Sequence, residues 1–174
     1  MERKITLITG GQRSGKSSFA ERYALSLSDS PVYMATSRVW DDDYLQRIQR
    51  HQKARGDQWQ NIEEEKHLSQ LSLNHSVIVI DCVTLWTTNF FFDQSEDSLD
   101  DIFQAVLAEF QKFTQNNNHY IFVTNEIGLG GISIDPVQRR FTDLLGWINQ
   151  AIAKQADSVT FMVSGLPMQL KGKL

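Results

Sequence analysis

Eight residues near the start of the chain have the types and spacing to hold phosphate: Gly10-Gly11-Gln12-Arg13-Ser14-Gly15-Lys16-Ser17. They fit G-x-x-x-x-G-K-[ST], the P-loop pattern. Gly10 and Gly15 permit backbone conformations that a side chain penalises, so successive N–H groups can converge on one phosphate. In that arrangement Lys16 reaches the β- and γ-phosphates and the Ser17 hydroxyl is a ligand for Mg²⁺. A helix following Gly15 would aim its positive end at the same anion. The alternative is a tight β–α turn whose Lys and Ser are only solvated. The apolar run Ile5-Thr6-Leu7-Ile8 before the loop and the helix-forming segment after it favour the phosphate site.

Three further stretches carry candidate chemistry. Asp81 closes the apolar run Val77-Ile78-Val79-Ile80, a Walker-B-like pattern that would stand a carboxylate near the Mg²⁺; an Asp capping the turn before Thr84 is the other reading. Tyr33-Met34-Ala35-Thr36-Ser37 runs from apolar into small hydroxyl residues, which suit ribose or phosphate contact or a turn that satisfies its own backbone. After Asp41-Asp42-Asp43, a helix-start signal, Arg47, His51 and Arg55 fall at i, i+4 and i+8 and share a helical face. Guanidiniums on either side of an imidazole suit polyphosphate recognition and disfavour the imidazolium, keeping the ring neutral and able to attack. A solvated basic face with an idle histidine is the commoner arrangement, and spacing alone does not separate the two.

Thr124-Asn125-Glu126-Ile127-Gly128-Leu129-Gly130-Gly131 reads as a glycine-rich loop over a site, where Glu126 can orient a substrate hydroxyl or a metal-bound water. A plain structural loop fits the same residues. His67, His75 and His119 lack ligand-like spacing, and Trp40, Trp59, Trp86 and Trp147 suit packing better than base stacking.

Positioning these residues requires strands that end at one edge. Five β-branched-rich runs predict strands: Lys4 to Thr9, Val32 to Thr36, Ser76 to Asp81, His119 to Thr124 and Ser158 to Ser164. Their continuous apolar character suits a sheet covered on both faces. Between them, the stripe Ile102, Phe103, Val106, Leu107, Phe110, Phe113 predicts one helix. A second stripe, Phe141, Leu144, Leu145, Ile148 and Ile152, follows Asp135-Pro136 as cap and first turn. Alternating strands and helices predict a mainly parallel α/β sheet flanked by helices, with ligands at the carboxyl ends of the strands.

The 174 residues suit a single domain over 1–174, and 41% hydrophobic with 22% charged residues is ordinary for a globular protein. A net charge of -4 argues against general nucleic-acid or membrane-surface binding. The single Cys82, with no signal peptide or membrane span in view, points to the cytoplasm.

Together these motifs resemble the bifunctional adenosylcobinamide kinase / adenosylcobinamide-phosphate guanylyltransferase family. The resemblance rests on G-G-x-R-S-G-K-S, then Y-x-A-T-S, then R-I-x-x-H-x-x-x-R from Arg47 to Arg55 with Trp59. It continues with I-D-C-x-T-L-W from Ile80 to Trp86 with Asn89, T-N-E-x-G from Thr124, R-x-F-x-D-x-x-G-x-x-N-Q from Arg139 to Gln150, and S-G-x-P from Ser164 to Pro167. It covers nearly the whole chain in order.

The resemblance implies a P-loop NTPase fold of RecA-like type, a homotrimer and two reactions. ATP or GTP phosphorylates adenosylcobinamide; a histidine then takes GMP from GTP and passes it to the adenosylcobinamide phosphate. Carried over by position, the covalent histidine is His51, where some members have two adjacent histidines and this chain has Arg50-His51. The implied nucleotide site comprises Gly10, Gly11, Gln12, Arg13, Ser14, Gly15, Lys16 and Ser17; Ala35, Thr36 and Ser37; Gln52, Lys53, Ala54 and Arg55; and Glu63 and Asp81. The residues alone also fit a P-loop kinase for another small alcohol, or a nucleotide-hydrolysing switch protein.

Overall fold

The computed structural model describes residues 2–38 and 56–174. Seven strands form one sheet: β1 Lys4–Gly10, β2 Val32–Ala35, β3 Gln60–Glu63, β4 Val77–Asp81, β5 His119–Val123, β6 Ser158–Val163 and β7 Leu166–Lys171. Their order is β3-β2-β4-β5-β1-β6-β7. All pairings are parallel except β6 with β7. All five predicted strands form. β5 separates the P-loop strand β1 from the Asp81 strand β4, and Val123 is in register with both Ile8 and Asp81.

The two strands without a sequence signal are the edges. β3 is short and mostly exposed, and β7 is exposed throughout and carries Pro167; neither has the apolar run that marks a covered strand. β6 and β7 are joined by Ser164 (φ 51°) and Gly165 (φ 82°), both with the positive φ that a tight two-residue hairpin turn requires.

The described α-helices are α1 Lys16–Leu27, α2 Val83–Asp93, α3 Leu99–Phe113 and α4 Pro136–Gln155. α3 and α4 follow the predicted stripes. Ser98 and Asp135 cap them by accepting from Asp101 N and Gln138 N, with Pro136 in the first turn of α4. α2 lacks a clear apolar period because polar and apolar residues are buried together: Val83, Trp86, Thr87, Asn89, Phe90 and Phe91.

Strand alternation sorts the core into two layers. Ile8, Val77, Val79, Ile121 and Val123 face α1 with Ala20 and Ala24. Leu7, Ile78, Ile80, Tyr120 and Phe122 join Trp86, Phe90, Val106, Phe110, Leu145 and Ile148 on the other side. Each fully buried aliphatic here contributes about 2 kcal/mol. Trp59 and Trp86 are buried, Trp147 is half-exposed against Phe103, and Trp40 lies outside the described residues. No described helix is long and apolar enough to cross a membrane.

His119, on β5, is buried beneath the sheet's N-terminal edge. Its Nε2 lies 3.0 Å from Thr6 Oγ1, which also meets Ser158 Oγ at 3.0 Å, and its ring is edge-on to Tyr23. Burial, helped by Lys4 and opposed by Asp157, holds its pKa down at about 4 against an ordinary 6.5. The folded state therefore prefers the neutral ring, and the unfolded chain binds the proton first as pH falls. This stabilisation is complete above pH 6.5 and is lost as pH drops towards 4. Between about pH 7.5 and about pH 5 the wild type should lose roughly 2 kcal/mol more stability than His119→Gln. Urea unfolding at the two pH values measures it; equal losses would contradict a buried neutral imidazole.

Candidate functional site

The site lies at the carboxyl edge of the sheet, where β1 turns through 11–15 into α1. Gly10 has φ 148° and Gly15 φ 92°. A Cβ on Gly10 would stand 2.4 Å from the Met162 carbonyl oxygen of β6, and one on Gly15 3.2 Å from Gly165 Cα. Arg13 between them is also left-handed, at φ 56°, a conformation costing a non-glycine residue about 1 kcal/mol. Two backbone bonds fasten the loop: Gly165 N donates to Ser14 O at 3.0 Å and Glu126 N to Gly10 O at 3.0 Å.

In contrast to α3 and α4, the N-terminus of α1 has no side-chain cap, and its first turn holds no acidic residue. Its leading N–H groups are thus left for an external anion. Lys16 is only 7% exposed, and its Nζ donates to Gly11 O at 2.6 Å. Burial lowers its pKa, while Cys82 and Asp81 pull it back up. Burial also pushes the Cys82 thiol up to about 12, so at neutral pH the opposing charge is the Asp81 carboxylate.

Asp81 ends β4 and is half-buried, with Oδ2 accepting from Tyr33 Oη at 2.7 Å. The Tyr33 ring is edge-on to Trp59. Glu63, Ala35 and Asp81 stand in one register row across β3, β2 and β4. Among the described residues there is no cluster of three or more His, Cys, Asp or Glu able to hold a metal. A Ser17 hydroxyl and one Asp81 carboxylate nonetheless suit Mg²⁺, which takes one or two protein oxygens and fills its shell with phosphate oxygens and water.

The turn after β2 is held from several sides. Thr36 is fully buried; its Oγ1 accepts from Cys82 N at 3.0 Å and donates to Cys82 O at 2.8 Å. The hydroxyl thus satisfies a neighbouring strand's backbone. Asn89, 1% exposed, donates to Thr36 O and Glu65 O at 2.8 and 2.9 Å. Arg38 pairs with both oxygens of Asp93 and with Glu65, all at 2.6 Å, and Lys66 joins Asp93 at 2.9 Å. The Asp93 carboxyl is held well below the usual carboxylate range by Arg38 and then Lys66. Ser37 is half-buried beside them. Sequence reasoning gave Tyr33 and Asn89 no role at the site, although both lie in the motifs that carried the resemblance.

The exit of β5 is pinned residue by residue. Thr124 Oγ1 donates to Asn149 Oδ1 at 2.8 Å, and Asn149 Nδ2 to Asn125 O at 3.2 Å. Asn125 donates through N and Nδ2 to Thr84 Oγ1 at 3.0 and 3.2 Å. The structure thus gathers 10–17, 35–37, Glu63, Asp81 and Glu126 along one edge. His51 and 52–55 lie outside the described residues.

Residues 6–170 match the model of the cobinamide kinase / cobinamide phosphate guanyltransferase family. The chain belongs to that family. It is 37% identical to the bifunctional adenosylcobalamin biosynthesis protein CobP of Pseudomonas aeruginosa, covering 96% of this chain and 97% of that one. It is 35% identical to the corresponding CobU protein of Escherichia coli, covering 96% and 99%. An ATPase from the type III secretion system of pathogenic bacteria shares the fold, with a TM-score of 0.58 and 11% identity over 97% of this chain and 57% of that one. The chain thus shares its sheet architecture with that ATPase.

The two glycines at the loop's start differ sharply. A Cβ at Gly11 meets nothing within 4 Å, whereas one at Gly10 meets the β6 backbone. Gly10→Ala should cost about 3 kcal/mol and Gly11→Ala less than about 0.5 kcal/mol. Denaturant midpoints decide it; similar losses for both would contradict the close approach of β1 and β6.

Proposed function

We propose that this protein carries out both reactions in one domain: it phosphorylates the alcohol of adenosylcobinamide with ATP or GTP, then guanylylates the product to adenosylcobinamide-GDP. The observation that carries the reading is the phosphate cradle. An uncapped α1 N-terminus and the buried Lys16 face Asp81 across one sheet edge, in a chain matched to the family over residues 6–170.

In the first reaction the loop N–H groups from Gly10 to Ser17 and the Lys16 ammonium hold the phosphate tail and offset charge building on the transferring group. Ser17 and Asp81 would hold Mg²⁺, which would supply further positive charge to offset that building on the transferring group. Ala35, Ser37 and Glu63, with Gln52, Lys53, Ala54 and Arg55, complete the nucleotide site, while the buried Thr36 serves it from behind by fixing the Cys82 backbone. In the second reaction the His51 imidazole attacks the α-phosphorus of GTP, pyrophosphate leaves, and GMP is held as a phosphoramidate. The phosphate of adenosylcobinamide phosphate then attacks the same phosphorus and His51 departs. Covalent capture divides a difficult exchange between two polyanions into two steps.

We further propose a cytoplasmic homotrimer with no nucleic-acid partner. The alternately placed, exposed Leu166, Met168 and Leu170 of β7 support a subunit contact on that edge. Incubation with Mg²⁺ and GTP labelled at the α-phosphate should leave acid-labile, alkali-stable label on the wild type and none on His51→Ala. Lys16→Ala should lose nucleotide binding and both activities, whereas His51→Ala keeps its kinase activity. An unlabelled wild type, or label that survives His51→Ala, would overturn the guanylyltransferase assignment and leave a kinase for an alcohol or a nucleotide-driven switch.

A further inference from the structure

Phosphoryl transfer to an alcohol requires a group to accept the hydroxyl proton, and the residues assigned so far do not supply one. Lys16 is a cation, one oxygen of Asp81 is occupied by Tyr33, and His51 is reserved for the guanylyl group. The other acidic side chains along the carboxyl edge are committed as well. Glu64 Oε1 accepts from the backbone N–H groups of Lys66 and His67, while Glu65 and Asp93 are bound to Arg38.

Glu126 differs from them. It is half-buried, and its carboxylate makes no hydrogen bond or ion pair among the described residues. Its own N–H is fixed to Gly10 O, the first residue of the phosphate loop, at 3.0 Å. The two residues before it are locked by Asn149 and Thr84. β5 lies between the P-loop strand and the Asp81 strand, so the chain emerging from it stands over the gap between Lys16 and Asp81. A rigidly mounted carboxylate without a partner, beside the phosphate seat, is what proton abstraction from an incoming alcohol needs.

We propose that Glu126 is the general base of the phosphoryl-transfer reaction, an inference that rests on the bifunctional reading above. The acceptor's O–H proton moves to the Glu126 carboxylate as the oxygen forms a bond to the γ-phosphorus. The bond from that phosphorus to the β–γ bridging oxygen breaks, and the nucleoside diphosphate leaves with the electron pair. Enzyme guanylylation involves no alcohol, so it serves as an internal control.

Glu126→Gln should lower kcat for adenosylcobinamide phosphorylation by about 100-fold or more. Labelling by α-labelled GTP and the Mg²⁺–nucleotide dissociation constant should stay within about twofold. A kinase rate within about threefold of wild type would overturn the proposal. Equal loss of both activities would overturn it too, by making Glu126 a structural part of the loop, and weakened Mg²⁺–nucleotide binding would do so by moving its role to the metal. A wild type that labels on His51 but does not phosphorylate adenosylcobinamide would instead remove the bifunctional reading itself.

Discussion

The close approach of β1 and β6 at Gly10 is the constraint on which the site depends. The Met162 carbonyl occupies the space where any Cβ at position 10 would stand. The same contact region lets the β6–β7 turn reach the loop, with Gly165 N bonded to Ser14 O and Gly165 Cα against Gly15. On the other side Glu126 N takes the Gly10 carbonyl. The phosphate loop is therefore clamped between two neighbouring strand exits. Its left-handed residues, including the non-glycine Arg13, persist because the surroundings over-determine them.

That rigidity matters because the loop is locally unfavourable in other ways. α3 and α4 have side-chain caps, whereas α1 opens with bare N–H groups and a buried lysine whose pKa is lowered by burial. An uncapped helix and a half-compensated ammonium are errors in a purely structural element and assets in an anion site, since a polyphosphate satisfies both at once. Asp81 alone leaves that demand partly unmet. The local rules of stability are broken at the start of α1, the candidate phosphate seat, and kept at α3 and α4.

What could be read from residues follows the same division. The five covered strands and the helices α3 and α4 announce themselves because burial imposes a period and caps impose residue types. β3 and β7 do not, since edge strands are exposed and owe their pairing to neighbours. α2 hides because it buries polar Thr87 and Asn89 along with its apolar residues, which blurs the helical period. Within the candidate site, the spacing of Gly10 to Ser17 and of Asp81 marks the ends of β1 and β4, where the structure places them. The use of Thr36 was not legible: its hydroxyl serves the Cys82 backbone 46 residues away. Nor were the roles of Tyr33 and Asn89, whose partners are brought together only by strand order and the packing of α2.

Strand order also orders the chemistry. Moving away from β1 along the carboxyl edge, the exits of β5, β4, β2 and β3 present Glu126, Asp81, Ala35 to Ser37, and Glu63 in turn. At about 4.8 Å per strand this edge runs roughly 19 Å from the phosphate loop to β3, enough to seat a phosphate tail at one end and a nucleoside towards the other. On the proposed reading the nucleotide lies along β4, β2 and β3, which leaves the alcohol to approach over β5. A base mounted on β5 beside the γ-phosphate end and a nucleophile serving the α-phosphorus need not compete for space. The interposed strand, which separates phosphate loop from Asp81, is then what allows one phosphate seat to serve two transfers at different phosphorus atoms.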